Sequence, residues 1–470
     1  MATDTAQPPR LHLTPFDRVV IVVMALLVVL IGATVLLGDR VGVQLSSVAP
    51  LGEAHSTSAI TIRFSEAMNH DSATAHFRTD PALPGAFSWS GTALTFKPDA
   101  ALQPGGEYTV YLEPGALSET GRAVLSEYRY SFTVQQPRVA YLYPANDTPQ
   151  NVWIADPADP ENAEQVTHSP SGVEDFGVSP DGTKIAFTEN NNVLGTSDIK
   201  LIELATGGLE QLTNCQNALC SAPVWRPDGK VIAYQRIEND AQFGSSPPRV
   251  WLLDLTTTPA TTRPLFQENQ ILGYDAEWSA DGNRIALVNR STASILVYDF
   301  TTDKIVSVNS QAGITGALSP DGKTLIYPDL VFPPEGGSRE TLRSFTIDAG
   351  EFATITDPAD PIWDHWAEWS PDGKTLAIAR ENTNTRDGAQ VILLDTITGE
   401  TRSVTDDARY TNMFFRWDPT GTALVAQRVP ELDANGQPNP RILPEIWTLN
   451  VVNGEQKLIA ANGFLPQWVP

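Results

Sequence analysis

The sequence predicts an all-β protein: a seven-bladed β-propeller closed by its C-terminal strand, preceded by a β-sandwich and one N-terminal transmembrane helix. Three observations carry this. A four-residue turn motif recurs six times at intervals of 40 to 53 residues, a period that belongs to propellers and solenoids. Apolar strands ending in an acid or amide recur seven times between and around those turns. Near the N-terminus, the nineteen residues Val19 to Leu37 carry no charge, enough for a helix to cross a bilayer.

Taken in order, residues 1–18 are polar, with Arg10 and Arg18, and read as a cytoplasmic tail. The run 19–37 shows no polar face, which argues against a buried core helix. It is long for a cleaved signal peptide, and Ala33-Thr34-Val35 is not a small-x-small cleavage site. No Cys follows it for lipid attachment. The two arginines before the run, against Asp39 and Arg40 just after it, place the N-terminus inside. The expected arrangement is an uncleaved, single-pass anchor with everything after it outside the cell membrane. Residues 38–47 form a tether.

Residues 48–135 alternate in short strands, among them Ile60-Thr61-Ile62-Arg63-Phe64, Ala93-Leu94-Thr95-Phe96 and Tyr108-Thr109-Val110-Tyr111-Leu112. Period-two strands at this spacing predict a β-sandwich. The segments Phe64-Ser65-Glu66-Ala67-Met68, Leu94-Thr95-Phe96-Lys97-Pro98, Leu102-Gln103-Pro104-Gly105-Gly106-Glu107-Tyr108-Thr109-Val110 and Tyr130-Ser131-Phe132-Thr133-Val134 resemble a bacterial Ig-like domain of the SbsA type. That resemblance implies a spacer, as such domains are in surface proteins.

Residues 137–470 carry the repeats. In Trp369-Ser370-Pro371-Asp372-Gly373-Lys374-Thr375-Leu376-Ala377-Ile378, Pro371 presets φ for a type I turn and Gly373 can take the left-handed closing position. The other copies are Ser179-Pro180-Asp181-Gly182, Arg226-Pro227-Asp228-Gly229, Ser279-Ala280-Asp281-Gly282, Ser319-Pro320-Asp321-Gly322 and the degraded Asp418-Pro419-Thr420-Gly421. The strand rungs end at Asp156, Glu203, Asp254, Asp299, Asp348, Asp395 and Asn450. Their place before Gly/Thr-rich turns assigns these acids to capping backbone N–H groups. Seven rungs against six turns leave the first blade without a head, and the tail Phe464-Leu465-Pro466-Gln467-Trp468-Val469-Pro470 reads as that missing piece. The repeat resembles the TolB-type, WD-like β-propeller of bacterial envelope proteins, a likeness that implies fold more than function.

Composition narrows the rest. A net charge of −25 argues against nucleic acid as a partner. Cys215 and Cys220, outside the membrane and five residues apart, predict a loop-stapling disulfide, since two sulfurs without a neighbouring His or Cys fall short of a metal set. No H-E-x-x-H, G-x-S-x-G or phosphate-binding loop is present, and Asp433-Ala434-Asn435-Gly436 lacks the later ligands of a calcium loop. No metal, cofactor or catalytic residue is expected.

What remains is the innermost strand of each repeat. The residues just before the Trp position are Gly177, Val224, Glu277, Ala317, Glu368, Arg416 and Gln467, so three of seven are charged where they face the axis. Asp175, Tyr274, Asp275, Asp364 and His365 lie just upstream. A water-filled channel with satisfied polar walls is one reading. The other is a ligand-binding funnel whose mouth is built by Asp175, Tyr274, Asp275, Glu277, Asp364, His365, Glu368 and Arg416, with Glu368 and Arg416 paired near the axis. The expected function is a membrane-anchored extracytoplasmic binding or scaffold protein for a protein or envelope polysaccharide. The alternative is a propeller-type hydrolase or lyase using the acids around the funnel. The sequence sets no oligomeric state.

Overall fold

The computed structural model describes residues 14–38, 42–240, 242, 244–268, 270–332, 337–385, 387–433 and 435–470. They form one long helix and two compact all-β units, the first built chiefly from residues up to 133 and the second from residues 134–470.

The helix runs Pro15–Gly38, beginning four residues before the uncharged stretch. Its start is set by a reciprocal cap. The Thr14 N–H donates to Asp17 Oδ2 at 2.9 Å and the Asp17 N–H donates back to Thr14 Oγ1 at 3.2 Å. Pro15 fills the first helical position, where its missing N–H costs nothing. At about 1.5 Å per residue the helix outreaches the roughly 30 Å hydrocarbon core of a bilayer.

In the first unit, one four-stranded sheet orders Leu45–Ala49, Ile60–Phe64, Ala93–Pro98 and Gly85–Ser90. A second orders Gly52–Ala54, Tyr128–Val134, Glu107–Leu112 and Phe77–Asp80. Leu45–Ala49 begins within the stretch expected as tether. Ile60, Ile62 and Phe64 alternate inward from one sheet, and Tyr108, Val110 and Leu112 from the other. The Phe77 ring meets Phe87 and Phe96 across the gap at 5.3 and 5.0 Å.

The second unit repeats one plan of antiparallel strands. The leading strands are Val173–Val178, Ala218–Trp225, Tyr274–Trp278, Ala317–Leu318, Ile362–Trp369 and Tyr410–Trp417. Each pairs with the strand that follows it. The turn between them is held by its own side chains. Ser370 Oγ donates to Asp372 Oδ1 at 2.7 Å, and the Lys374 and Thr375 N–H groups donate to Asp372 Oδ1 and Ser370 Oγ. The same bonds recur at Ser179, Ser279 and Ser319. Where Asp418 replaces the serine, its two oxygens take both roles, accepting from the Thr420, Thr422 and Ala423 N–H groups. Gly373, at φ 69°, closes the turn in the left-handed region.

At the rungs, Asp254, Asp299, Asp395 and Asn450 each accept from the backbone N–H two residues on, at 2.8–2.9 Å. Asp348 departs from this pattern, receiving Arg284 Nη2 instead.

Successive repeats are joined by indoles, the first two repeats of the series (residues 173–211 and 218–264) running on as one nine-stranded sheet through the parallel bridge of Ser197 to Leu219. Trp225 Nε1 donates to the Gly177 carbonyl at 2.9 Å, Trp278 to Val224 at 3.3 Å, Trp369 to Ala317 at 3.3 Å and Trp417 to Glu368 at 3.2 Å. In each case the acceptor is the residue just before the Trp position of an earlier repeat. Trp468 continues the series, donating to Arg416 at 3.0 Å. The strand that holds it, Phe464–Val469, pairs antiparallel with Arg138–Tyr143, with Trp468 opposite Val139. Gln467 then reaches the next sheet, donating to the Phe176 carbonyl and accepting from the Val178 N–H.

Candidate functional site: an axial charge cluster and a side cavity

Because the indole bonds fix the residue before each Trp position, the charged ones among them are fixed as well. Arg416 Nη1 donates to Glu368 Oε2 at 2.7 Å, although the two lie on different sheets. Glu277, from a third sheet, feels the charges of both. Burial, with repulsion from Glu368 and Asp275, pushes its carboxyl up to about 7 against the attraction of Arg416. Burial likewise raises Glu368, despite its partner. Two carboxylates share one guanidinium, and Glu277 has no hydrogen-bonding partner among the described residues.

Upstream of these positions the leading strands bulge. The register shifts between Ser221 and Val224, Tyr274 and Glu277, Asp364 and Trp366, and Met413 and Arg416. Ala222, Asp275 and Phe414 take positive φ there, at 53°, 56° and 48°. Such bulges re-aim side chains beside functional sites.

The bulge acids do two different jobs. Asp175 accepts from Thr188 Oγ1 and, at 2.9 Å, from the Ala222 N–H of the next repeat. Burial carries its carboxyl up to about 6 against those bonds. Asp275 similarly receives the Thr315 N–H at 2.9 Å and lies close enough to raise Glu277. Asp364 stands apart. It is fully buried, gripped by Arg380 Nε and Nη2 at 2.7 and 2.9 Å and by Thr356 Oγ1. It holds two sheets together and faces no opening. Tyr274 is turned to Gly313, donating its hydroxyl to that carbonyl at 3.1 Å. Cys215 and Cys220 are joined by a disulfide.

His365 belongs to a separate recess. Its Nδ1 lies 2.7 Å from Glu340 Oε2 and its Nε2 3.2 Å from Glu381 Oε2. Burial alone would lower the imidazole, but the two glutamates win and raise it. These groups line a cavity of about 400 Å³ that also takes in Asp387 and Glu431. Trp366 forms part of its wall, with Arg416 Cζ 5.1 Å from the ring centroid, so the recess adjoins the Glu368–Arg416 cluster. Glu340, Glu381, Asp387 and Glu431 carry no motif in the sequence, because they come from three sheets and meet only on folding. Among the described residues no group of three or more His, Cys, Asp or Glu has the geometry to hold a metal ion.

An all-β chain with an Ig-like domain and an indole-linked repeat unit is the class these features define. Residues 39–134 match the family model of the bacterial Ig-like domain. Over 138 residues the chain is 30% identical to dipeptidyl-peptidase 5 of Porphyromonas gingivalis, covering 28% of this chain and 20% of that protein. The chain thus spans about a fifth of the curated relative it matches. Solved neighbours include TolB from Acinetobacter baumannii, at 16% identity and TM-score 0.42, covering 84% of this chain and 83% of that one. They also include an oligogalacturonate lyase from Vibrio parahaemolyticus, at 14% identity and TM-score 0.43, covering 69% and 86%. The neighbours also include peptidases, such as an acylaminoacyl peptidase at 15% identity and TM-score 0.47, covering 69% of this chain and 52% of that one.

Proposed function

We propose that this is a membrane-anchored, extracytoplasmic binding protein whose second unit is a seven-bladed propeller, with its ligand site where the axial charges gather. The helix Pro15–Gly38 is the anchor, the Ig-like domain the spacer, and a protein or envelope polysaccharide the partner. The ring reading draws support from the indole series and from Phe464–Val469, which completes the sheet begun by Arg138–Tyr143. The nine-stranded sheet counts as two blades, because a single parallel bridge, Ser197 to Leu219, joins its halves.

The observation that carries the binding reading is Glu277. A buried carboxyl with no hydrogen-bonding partner among the described residues, beside an ion pair that already uses the nearby guanidinium, is free to bond a ligand, as donor when protonated and as acceptor when ionised. The test is capture from envelope extracts by the full chain in detergent, with bound protein identified by mass spectrometry and bound glycan by sugar analysis. Glu277→Ala and Arg416→Ala should each reduce capture at least tenfold. Undiminished capture by both variants would sink the reading.

A further inference from the structure

The recess around His365 has the makings of a second, more specific site. Its polar wall is mostly acceptor: Glu340, Glu381, Asp387 and Glu431, against one imidazole bonded to two of them and the Thr411 hydroxyl, which donates to Glu431 Oε1 at 2.7 Å. Acidic residues alone define no site, and two further atoms supply the argument. Asn412 is fully buried and lines the cavity. Its Nδ2 donates to the Ala389 carbonyl at 2.7 Å, which fixes the amide orientation and leaves Oδ1 as an acceptor with no partner. Trp366 Nε1, in the same wall, is a buried donor with no partner. Leaving either atom unsatisfied costs about 1–3 kcal/mol, so both favour an occupant that answers them. The remaining wall is apolar: Phe414 and Ile314.

We propose that this cavity takes the cationic side chain of a peptide partner, lysine or arginine, together with an adjoining peptide carbonyl. The cation answers the carboxylates and, with the small side-chain shift that uncovers it, Asn412 Oδ1. The same shift turns Trp366 Nε1 to the carbonyl, which accepts from it. The methylene stem lies on the aromatic and aliphatic wall, as long cationic side chains do. A neutral sugar would bring no charge to the carboxylates, and a free polyamine would offer nothing to Trp366. The proposal rests on the binding reading above and names the chemistry of the partner.

Titration calorimetry on the full chain in detergent tests it with three small probes: Nα-acetyl-lysine methylamide, Nα-acetyl-arginine methylamide, and the norleucine analogue, which keeps the stem and amides but lacks the charge. One or both cationic probes should bind at least tenfold more tightly than norleucine. Glu381→Gln with Glu431→Gln should weaken that binding tenfold or more. The charge-matched change Glu161→Gln with Glu164→Gln, at exposed residues of a remote sheet, should leave it unchanged. Equal affinity for norleucine, no binding of either cation, or the same loss in the remote variant would each overturn the proposal. The norleucine comparison needs no variant, so it stands even if the double substitution misfolds. Capture of a partner that survives the Glu381/Glu431 changes and fails with Glu277→Ala would overturn this inference and leave the broader reading intact.

Discussion

Glu277 shows how much one carboxyl can say. Its folded value, about 7, lies above the ordinary glutamate range of about 4.3. A raised carboxyl favours the folded state while protonated, so that contribution is complete below the ordinary value and is lost as pH rises toward 7. Glu277→Gln, a mimic of the protonated form, should match the native protein near pH 4. At pH 8 it should be more stable by about 1–2 kcal/mol, after discounting for the partial exposure of the side chain. Denaturant melts at the two pH values check this. His365 carries a matching expectation. Its imidazole is raised, so its ion pairs stabilise most below about pH 6.5 and fade as pH climbs through the folded value. His365→Gln should cost about 1 kcal/mol at pH 6 and less at pH 9. At this scale the sequence showed that Glu277, Glu368 and Arg416 carry charge on inner strands, because period-two counting from a tryptophan is local arithmetic. It could not show that Asp364 turns into an Arg380 fork while its neighbour His365 turns into a cavity. A bulge between them decides that, and bulges leave no fixed signature in side-chain pattern.

Among the elements, the turn was the most legible, since Ser, Pro, Asp and Gly each supply a separate piece of its geometry. Most rung acids were legible for the same reason, but Asp348 receives Arg284, which comes from far away in the chain, and Glu203 receives the Thr206 hydroxyl in place of a backbone N–H. The helix contains the uncharged run 19–37 and begins four residues before it, because hydropathy marks Val19 whereas the cap lies in Thr14 and Asp17. The Asp364–Arg380 pair should behave as a buried ion pair. Asp364→Ala strands a guanidinium inside and should destabilise the second unit by about 3–5 kcal/mol, read as a shift in denaturant midpoint. Trp468→Phe removes the bond to the Arg416 carbonyl and leaves a void where the pyrrole half of the buried indole packed, and should cost about 2–3 kcal/mol.

For the molecule as a whole, two expectations follow. If Pro15–Gly38 anchors the chain with its bulk outside, protease added to intact spheroplasts should digest the second unit. Full protection there, with digestion after lysis, would reverse the orientation. Removing residues 462–470 exposes the edge of Arg138–Tyr143 and strips a buried indole, and should cost about 5 kcal/mol or more, visible as loss of cooperative melting. The shared sheet also has a bearing on synthesis. Arg138–Tyr143 leaves the ribosome early, and the strand it pairs with, Phe464–Val469, leaves after every other strand of the unit has been made. The first sheet therefore waits, one edge bare, until that last strand of the unit is made. A chain stopped before it would keep that edge open to pairing with other strands and to proteolysis.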